Sequence, residues 1–170
     1  MLDKLGVKLG EYLVSKLRRE LIDQGHRLTG ELIRSLEYRV RESGKTMIVE
    51  FLANEYGEKL NTGIPASQIP RYPSIGYLRL VRELTAYVER RMGLRGGLAK
   101  NVAGRIVRAW GREGMPTRAS YRFSKNNRRT GWVDVILKQE EEAINNMVRE
   151  FVGQQMEVLF REFVAQKQAA

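Results

Sequence analysis

The chain has 170 residues, the length of one domain, with 42% hydrophobic and 29% charged residues and a formal net charge of +10. It contains no cysteine, which excludes disulfides and thiolate metal sites. No run approaches the roughly 18 consecutive apolar residues that a membrane span needs, and Met1 to Gly10 interleaves Asp3, Lys4 and Lys8 with its apolar residues, so neither a membrane partner nor a secretory signal is expected.

Residues 2–24 read as an amphipathic helix, because Leu2, Leu5, Leu9, Leu13, Leu17 and Leu21 recur at spacings of three and four. Gly25 is its expected stop. Thr29 is placed to cap a short turn over Gly30–Arg34. The period then becomes alternating. Leu36, Tyr38 and Val40 alternate with Glu37, Arg39 and Arg41, and after Ser43-Gly44 the residues Met47, Val49 and Phe51 alternate with Ile48 and Glu50. Two such runs around a glycine-containing turn predict a β-hairpin over about 36–52 with one buried face.

Residues 54–63 read as a short helix ending at Gly63. Three of the four prolines, Pro65, Pro70 and Pro73, fall within 63–76, which predicts a long loop rather than a regular helix or central strand. A helix over 76–92 follows, with Leu78, Val81, Leu84, Tyr87, Val88 and Met92 as its apolar residues. Gly93, Gly96 and Gly97 break it. A further helix over 98–112 presents Leu98, Val102, Ile106 and Trp110, and Gly111, Gly114 and Pro116 end it. Residues 117–131 are basic and weakly patterned, and 132–137 fit either a short strand or a helix start. The last helix, 139–166, directs Ile144, Val148, Phe151, Leu159 and Phe163 to the core, with Glu140, Glu141 and Glu142 in its first turn, where negative charge suits the helix dipole. The expected architecture is α+β: a single domain over 1–170 in which long terminal helices and further helices pack on a small antiparallel sheet.

Little in the sequence suggests catalysis. His26 is the single histidine and has no partner at metal-ligand spacing, so a surface or capping role is expected. Glu140, Glu141 and Glu142 are consecutive and point around a helix rather than converging. No phosphate-binding loop, dinucleotide fingerprint or nucleophile elbow occurs, and Gly93 to Gly97 reads as an interhelical linker. No enzyme activity, cofactor or metal is expected.

Charge is the one chemical cue. Residues 71–130 carry 15 Lys/Arg against 3 Asp/Glu, whereas 1–70 carry 11 against 10 and 131–170 carry 4 against 7. Such a concentration points to a polyanion or to acidic neighbours in an assembly. Within the basic segment 105–129, Arg105, Arg108 and Arg112 share helical spacing, and Arg122, Lys125, Arg128 and Arg129 follow. Together they are the candidate basic face toward a DNA channel or a neighbouring subunit. No sequence-reading motif accompanies them, so any contact with DNA would be nonspecific. Tyr121 and Phe123 lie between the basic residues and are assigned to the core rather than to base stacking.

The run Leu28-Thr29-Gly30-Glu31-Leu32-Ile33-Arg34-Ser35-Leu36, leading into Tyr38 and the hairpin, resembles a segment of the neck and tail-completion proteins of long-tailed phages and of related minor tail components. Glu55-Tyr56-Gly57, the later Gly63 and Arg112-Glu113-Gly114-Met115-Pro116-Thr117 match further segments of that family in order, and a C-terminal helix closes the domain. The resemblance covers about residues 1–60 and 98–165. The family commonly continues with another proline and a phenylalanine. Here Arg118-Ala119-Ser120-Tyr121 follows, and a basic insertion over 118–131 leaves open which ring this subunit forms.

The resemblance implies a structural virion protein, made in the host cytoplasm. It would form a homo-oligomeric ring around the DNA path, between adjacent portal or adaptor and tail proteins, with nonspecific genome contact available to it. Ile64, Pro65, Ile69, Pro70, Tyr72 and Pro73 are then the candidate docking loop for an adjacent ring. One rival is a basic DNA-binding or architectural protein acting alone. Another is a small metal-dependent nuclease, which the scattered Asp3, Asp23 and Asp134 do not favour.

Overall fold

The computed structural model describes residues 2–26, 30–44 and 46–168, and the expected cap Thr29 lies outside them. The fold is α+β, mostly helical, with a small two-stranded antiparallel sheet and long helices at both ends. The chain divides into two compact units, each assembled from separate stretches of sequence: Met1–Arg18, Leu36–Leu52 and Val133–Ala170 form the first, Arg19–Ser35 and Ala53–Trp132 the second.

In the first unit the leucine stripe forms as its spacing predicts. Helix α1 spans Leu2–Asp23, and Leu5, Leu9, Leu13 and Leu17 are buried. Strands β1 (Glu37–Ser43) and β2 (Thr46–Leu52) pair antiparallel, with Tyr38 opposite Phe51 and Val40 opposite Val49. These cross-strand pairs give the sheet one half-buried face. Two glycines of α1 let the helix meet that face closely. A Cβ on Gly6 would come within 2.5 Å of Val40 Cγ1, and one on Gly10 would overlap the Tyr38 ring.

The segment left open between strand and helix is helical: α6 spans Trp132–Gln139, and α7 spans Glu141–Gln168. The glutamate run is therefore split. Glu141 and Glu142 occupy the first turn of α7, while Glu140 lies between the helices. Its carboxylate accepts hydrogen bonds from the Tyr12 hydroxyl and from Lys16 Nζ, the latter at 2.8 Å. These bonds hold the Glu140 pKa below its ordinary range, the Lys16 bond contributing most. The expected core face of the last helix is only half right. Ile144, Val148 and Phe151 are partly buried, but Leu159 and Phe163 are 58% and 57% exposed, because no described element of this unit covers the second half of α7.

The second unit contains α2 (Glu31–Ser35), α3 (Glu55–Thr62), a 3-10 turn at Ala66–Gln68, α4 (Ile75–Met92), α5 (Gly96–Glu113) and a 3-10 segment at Arg118–Phe123. Ser74 caps α4 by accepting the Tyr77 backbone N–H, which satisfies one of its unpaired first-turn donors. The core lies between α4 and α5, where Tyr77, Val81, Leu84 and Val88 meet Ala99, Ala103 and Val107. This corrects the expected face of α5 by one position. Leu98 is exposed, and Val102, Ile106 and Trp110 flank the core rather than fill it. Alanines at 99 and 103 leave room for α4 to approach, a steric advantage that a search for large apolar residues overlooks. Leu78 and Met92 of α4 likewise face outward.

The proline-rich stretch is more structured than a loop. Ile69 is buried in the core cluster, and Ile64 forms an isolated antiparallel bridge with Met115. In that bridge the Ile64 N–H donates to the Met115 carbonyl at 2.7 Å and the Met115 N–H returns a bond at 2.8 Å.

Candidate functional site

The residues of the basic segment border more than one depression. Arg105 borders a cavity together with Arg122 and Arg129, whereas Arg108 and Arg112 border a separate depression with Pro70, Arg71, Tyr72 and Tyr77. Lys125 and Arg128 are exposed on the connecting turn and line neither. Of the docking-loop candidates, Ile69 is removed from the surface by its place in the core, and Ile64 is half-buried by its bridge. Pro65, Pro70 and Pro73 remain exposed, as does Tyr72 (72%), whose ring meets Tyr77 edge-on with centroids 5.5 Å apart.

The turn carrying the last basic residues is pinned to the end of α1 by buried polar groups. Glu20 and Gln24 are buried one turn apart, and Gln24 is fully inaccessible. Gln24 Nε2 donates to Glu20 Oε1 at 2.9 Å and to the Thr130 carbonyl at 3.1 Å, and Asn126 Nδ2 donates to the same Glu20 oxygen at 2.9 Å. The Lys125 N–H donates to the Asp23 carbonyl at 2.7 Å, and Arg129 Nη1 donates to the Gln24 carbonyl at 2.5 Å. Gly25, at φ +80°, ends α1 with the His26 N–H reaching back to the Leu21 carbonyl, a C-terminal motif that only a left-handed residue permits.

These contacts bring together residues far apart in sequence. A cavity of about 440 Å³ is walled by Leu84, Met92, Val102, Ile106, Trp110 and Phe123, with Tyr56, Tyr87 and His26 also on its lining. Phe123, expected in the core, is half-exposed here, and the Arg122 guanidinium lies 4.7 Å from its ring centre. Lys59, Arg105, Arg122 and Arg129 bring positive charge to the lining, and no carboxylate lies on it among the described residues.

Arg129 is half-buried, and its Nε has no hydrogen-bond acceptor. Burial lowers its pKa, while Tyr87 and then Tyr56 oppose that shift. The Tyr56 hydroxyl is itself raised above the ordinary phenol range, chiefly by burial, so at neutral pH it is an uncharged neighbour. His26 is neutral as well. Burial and then the Arg129 charge push it down to about 4, against a raising bond to the Arg129 carbonyl at 3.3 Å. His26 thus caps α1 through its backbone N–H, as expected, and also has a place in the cavity wall.

No family model, curated protein or solved structure matches the chain.

His26, Tyr56, Tyr87 and Trp110 had no local signal marking them as partners, because they converge from different elements. Among the described residues no group of three or more His, Asp or Glu is placed to hold a metal ion. The cavity's chemistry is that of an apolar, positively charged container. In the first unit the main surface feature is the second half of α7, where Val152, Met156, Leu159, Phe160 and Phe163 are all exposed. Val152, Met156, Leu159 and Phe163 follow spacings of four, three and four, so they share one stripe along the helix.

Proposed function

We propose that this chain is a structural subunit of a tailed-phage neck, of the head–tail connecting or tail-completion kind, acting as one copy in a ring around the DNA path. The observation that carries the reading is the uncovered apolar stripe of α7. A run of large apolar side chains along one helix marks a surface that another protein occupies. Identical copies are the simplest occupant, since this helix belongs to an acidic stretch, with 4 Lys/Arg against 7 Asp/Glu over 131–170, and the chain's own 71–130 supplies 15 against 3. Two different patches of complementary charge suit head-to-tail contacts, which close into rings.

The sequence resemblance supplies the place in the particle, and the residues that carry it have packing roles. Ser35 Oγ accepts the Asn54 N–H, Gly57 accommodates Leu32 and Trp132, and Gly63 and Gly114 flank the Ile64–Met115 bridge. The basic residues of 71–130 then have two uses, contact with neighbouring copies and nonspecific contact with the genome.

The test is light scattering on the purified full chain, together with imaging of particles that contain it. A ring at the head–tail junction or in the tail is the expected result. A monomer that binds duplex DNA with steep salt dependence would favour the architectural reading instead, and location elsewhere in the particle would end the neck reading.

A further inference from the structure

We infer that the cavity of the second unit is a binding site for a small amphipathic anion, a carboxylate on an aliphatic or aromatic body. The inference is independent of the neck reading. At about 440 Å³ the space has the size of an ordinary small-ligand pocket. Its wall is mostly apolar, so it excludes small hydrated anions such as inorganic phosphate and favours a body that replaces water against Leu84, Ile106 and Trp110.

The charge pattern selects the head group. Arg105, Arg122 and Arg129 line the cavity, with no carboxylate on the lining among the described residues to neutralise them. Arg105 and Arg122 are exposed and Arg129 is half-buried; a cation drawn even partly out of water costs free energy unless it is paired, and a guanidinium pairs best with a carboxylate or phosphate. Arg129 is the residue most in need of one. Its Nη1 is committed to the Gln24 carbonyl, its Nε is closed to solvent and has no acceptor, and of the side chains that act on it Tyr87, Tyr56 and Tyr121 offer only hydroxyls while Arg91 adds positive charge. The nearby His26 is held neutral and does not compete for the anion.

Octanoate, 1-octanol and acetate separate the two requirements. Titrated into the full chain and followed by calorimetry and by tryptophan emission, octanoate is expected to bind with one-to-one stoichiometry. Octanol, which lacks the charge, and acetate, which lacks the body, should each bind at least about tenfold more weakly, or about 1.4 kcal/mol. Arg129→Gln should reduce octanoate affinity by about tenfold or more and leave octanol unchanged. Because Arg129 also anchors the turn, Ala109→Trp provides a second variant that fills the cavity from α5 without touching that anchor. With an unchanged circular dichroism spectrum, it should abolish octanoate binding. Equal binding of octanol and octanoate, no binding of octanoate, or undiminished binding in folded Ala109→Trp would each overturn the assignment.

Discussion

Ile64 and Met115 exchange both backbone hydrogen bonds across an isolated bridge, and the residue before each is a glycine at a positive φ that side chains rarely adopt, Gly63 at φ +77° and Gly114 at φ +84°. The pairing ties the proline-rich stretch to the chain leaving α5. A Cβ on Gly114 would stand 2.8 Å from the Ile64 carbonyl oxygen, and one on Gly63 would stand 2.8 Å from that of Met115. Gly114→Ala therefore meets both backbone strain and a backbone clash. It should cost about 1–3 kcal/mol or more, seen as a lower thermal midpoint. An unchanged midpoint would mean that the bridge contributes nothing to the fold.

Helical glycines differ by what they face. Gly10 of α1 lies against the Tyr38 ring, so Gly10→Ala should destabilise the protein by about 1–3 kcal/mol through overpacking. Gly153 of α7 has nothing within 4 Å of an added Cβ, and Gly153→Ala should stabilise by about 0.5–1 kcal/mol through helix propensity alone. Denaturant midpoints of the two variants should move in opposite directions.

His26 makes stability depend on pH in a defined window. Its folded pKa of about 4 lies below the ordinary 6.5, so between these values the unfolded chain takes up a proton that the folded chain refuses. The contribution is fully present above 6.5 and is lost as pH falls toward 4. Glu140, whose pKa is lowered by Lys16 and Tyr12, adds a further loss at lower pH, as its carboxylate is protonated below the ordinary value of 4.5. The thermal midpoint should fall through the first window in the natural protein. In His26→Gln that slope should flatten while the more acidic loss persists.

The α7 stripe separates stability from assembly. Leu159 and Phe163 are already exposed, so Leu159→Glu with Phe163→Glu should change the thermal midpoint of the dissociated chain little. The same pair should reduce self-association by at least about tenfold, read by light scattering against concentration. Full assembly of this variant would remove the stripe from the account of the ring.

The periodic elements were legible because their signals are local. The leucine spacing of α1, the alternation of the hairpin and the stop at Gly63 all reflect how each stretch buries one side of itself. The same logic failed where burial depends on a neighbour. Leu98 and Leu159 look like core residues by spacing, yet Leu98 lies beside the alanine stripe that α5 uses to approach α4, and Leu159 lies where no described element of its unit covers it. Ile69 failed in the other direction, being read as an exposed docking residue and found in the core.

Composition and periodicity thus settled the fold class, the positions of the long helices and hairpin, and the basic bias of the middle of the chain. They could not place the arginines, because residues at one helical spacing can border different depressions once other segments pack beside them, as Arg105 and Arg108 do. Tertiary structure alone decided that His26, Tyr56, Trp110 and Arg129 line one cavity and that Gln24 and Glu20 anchor the basic turn. A chain's local pattern records which side of a segment leaves water, whereas a site depends on which distant segments share the space that remains.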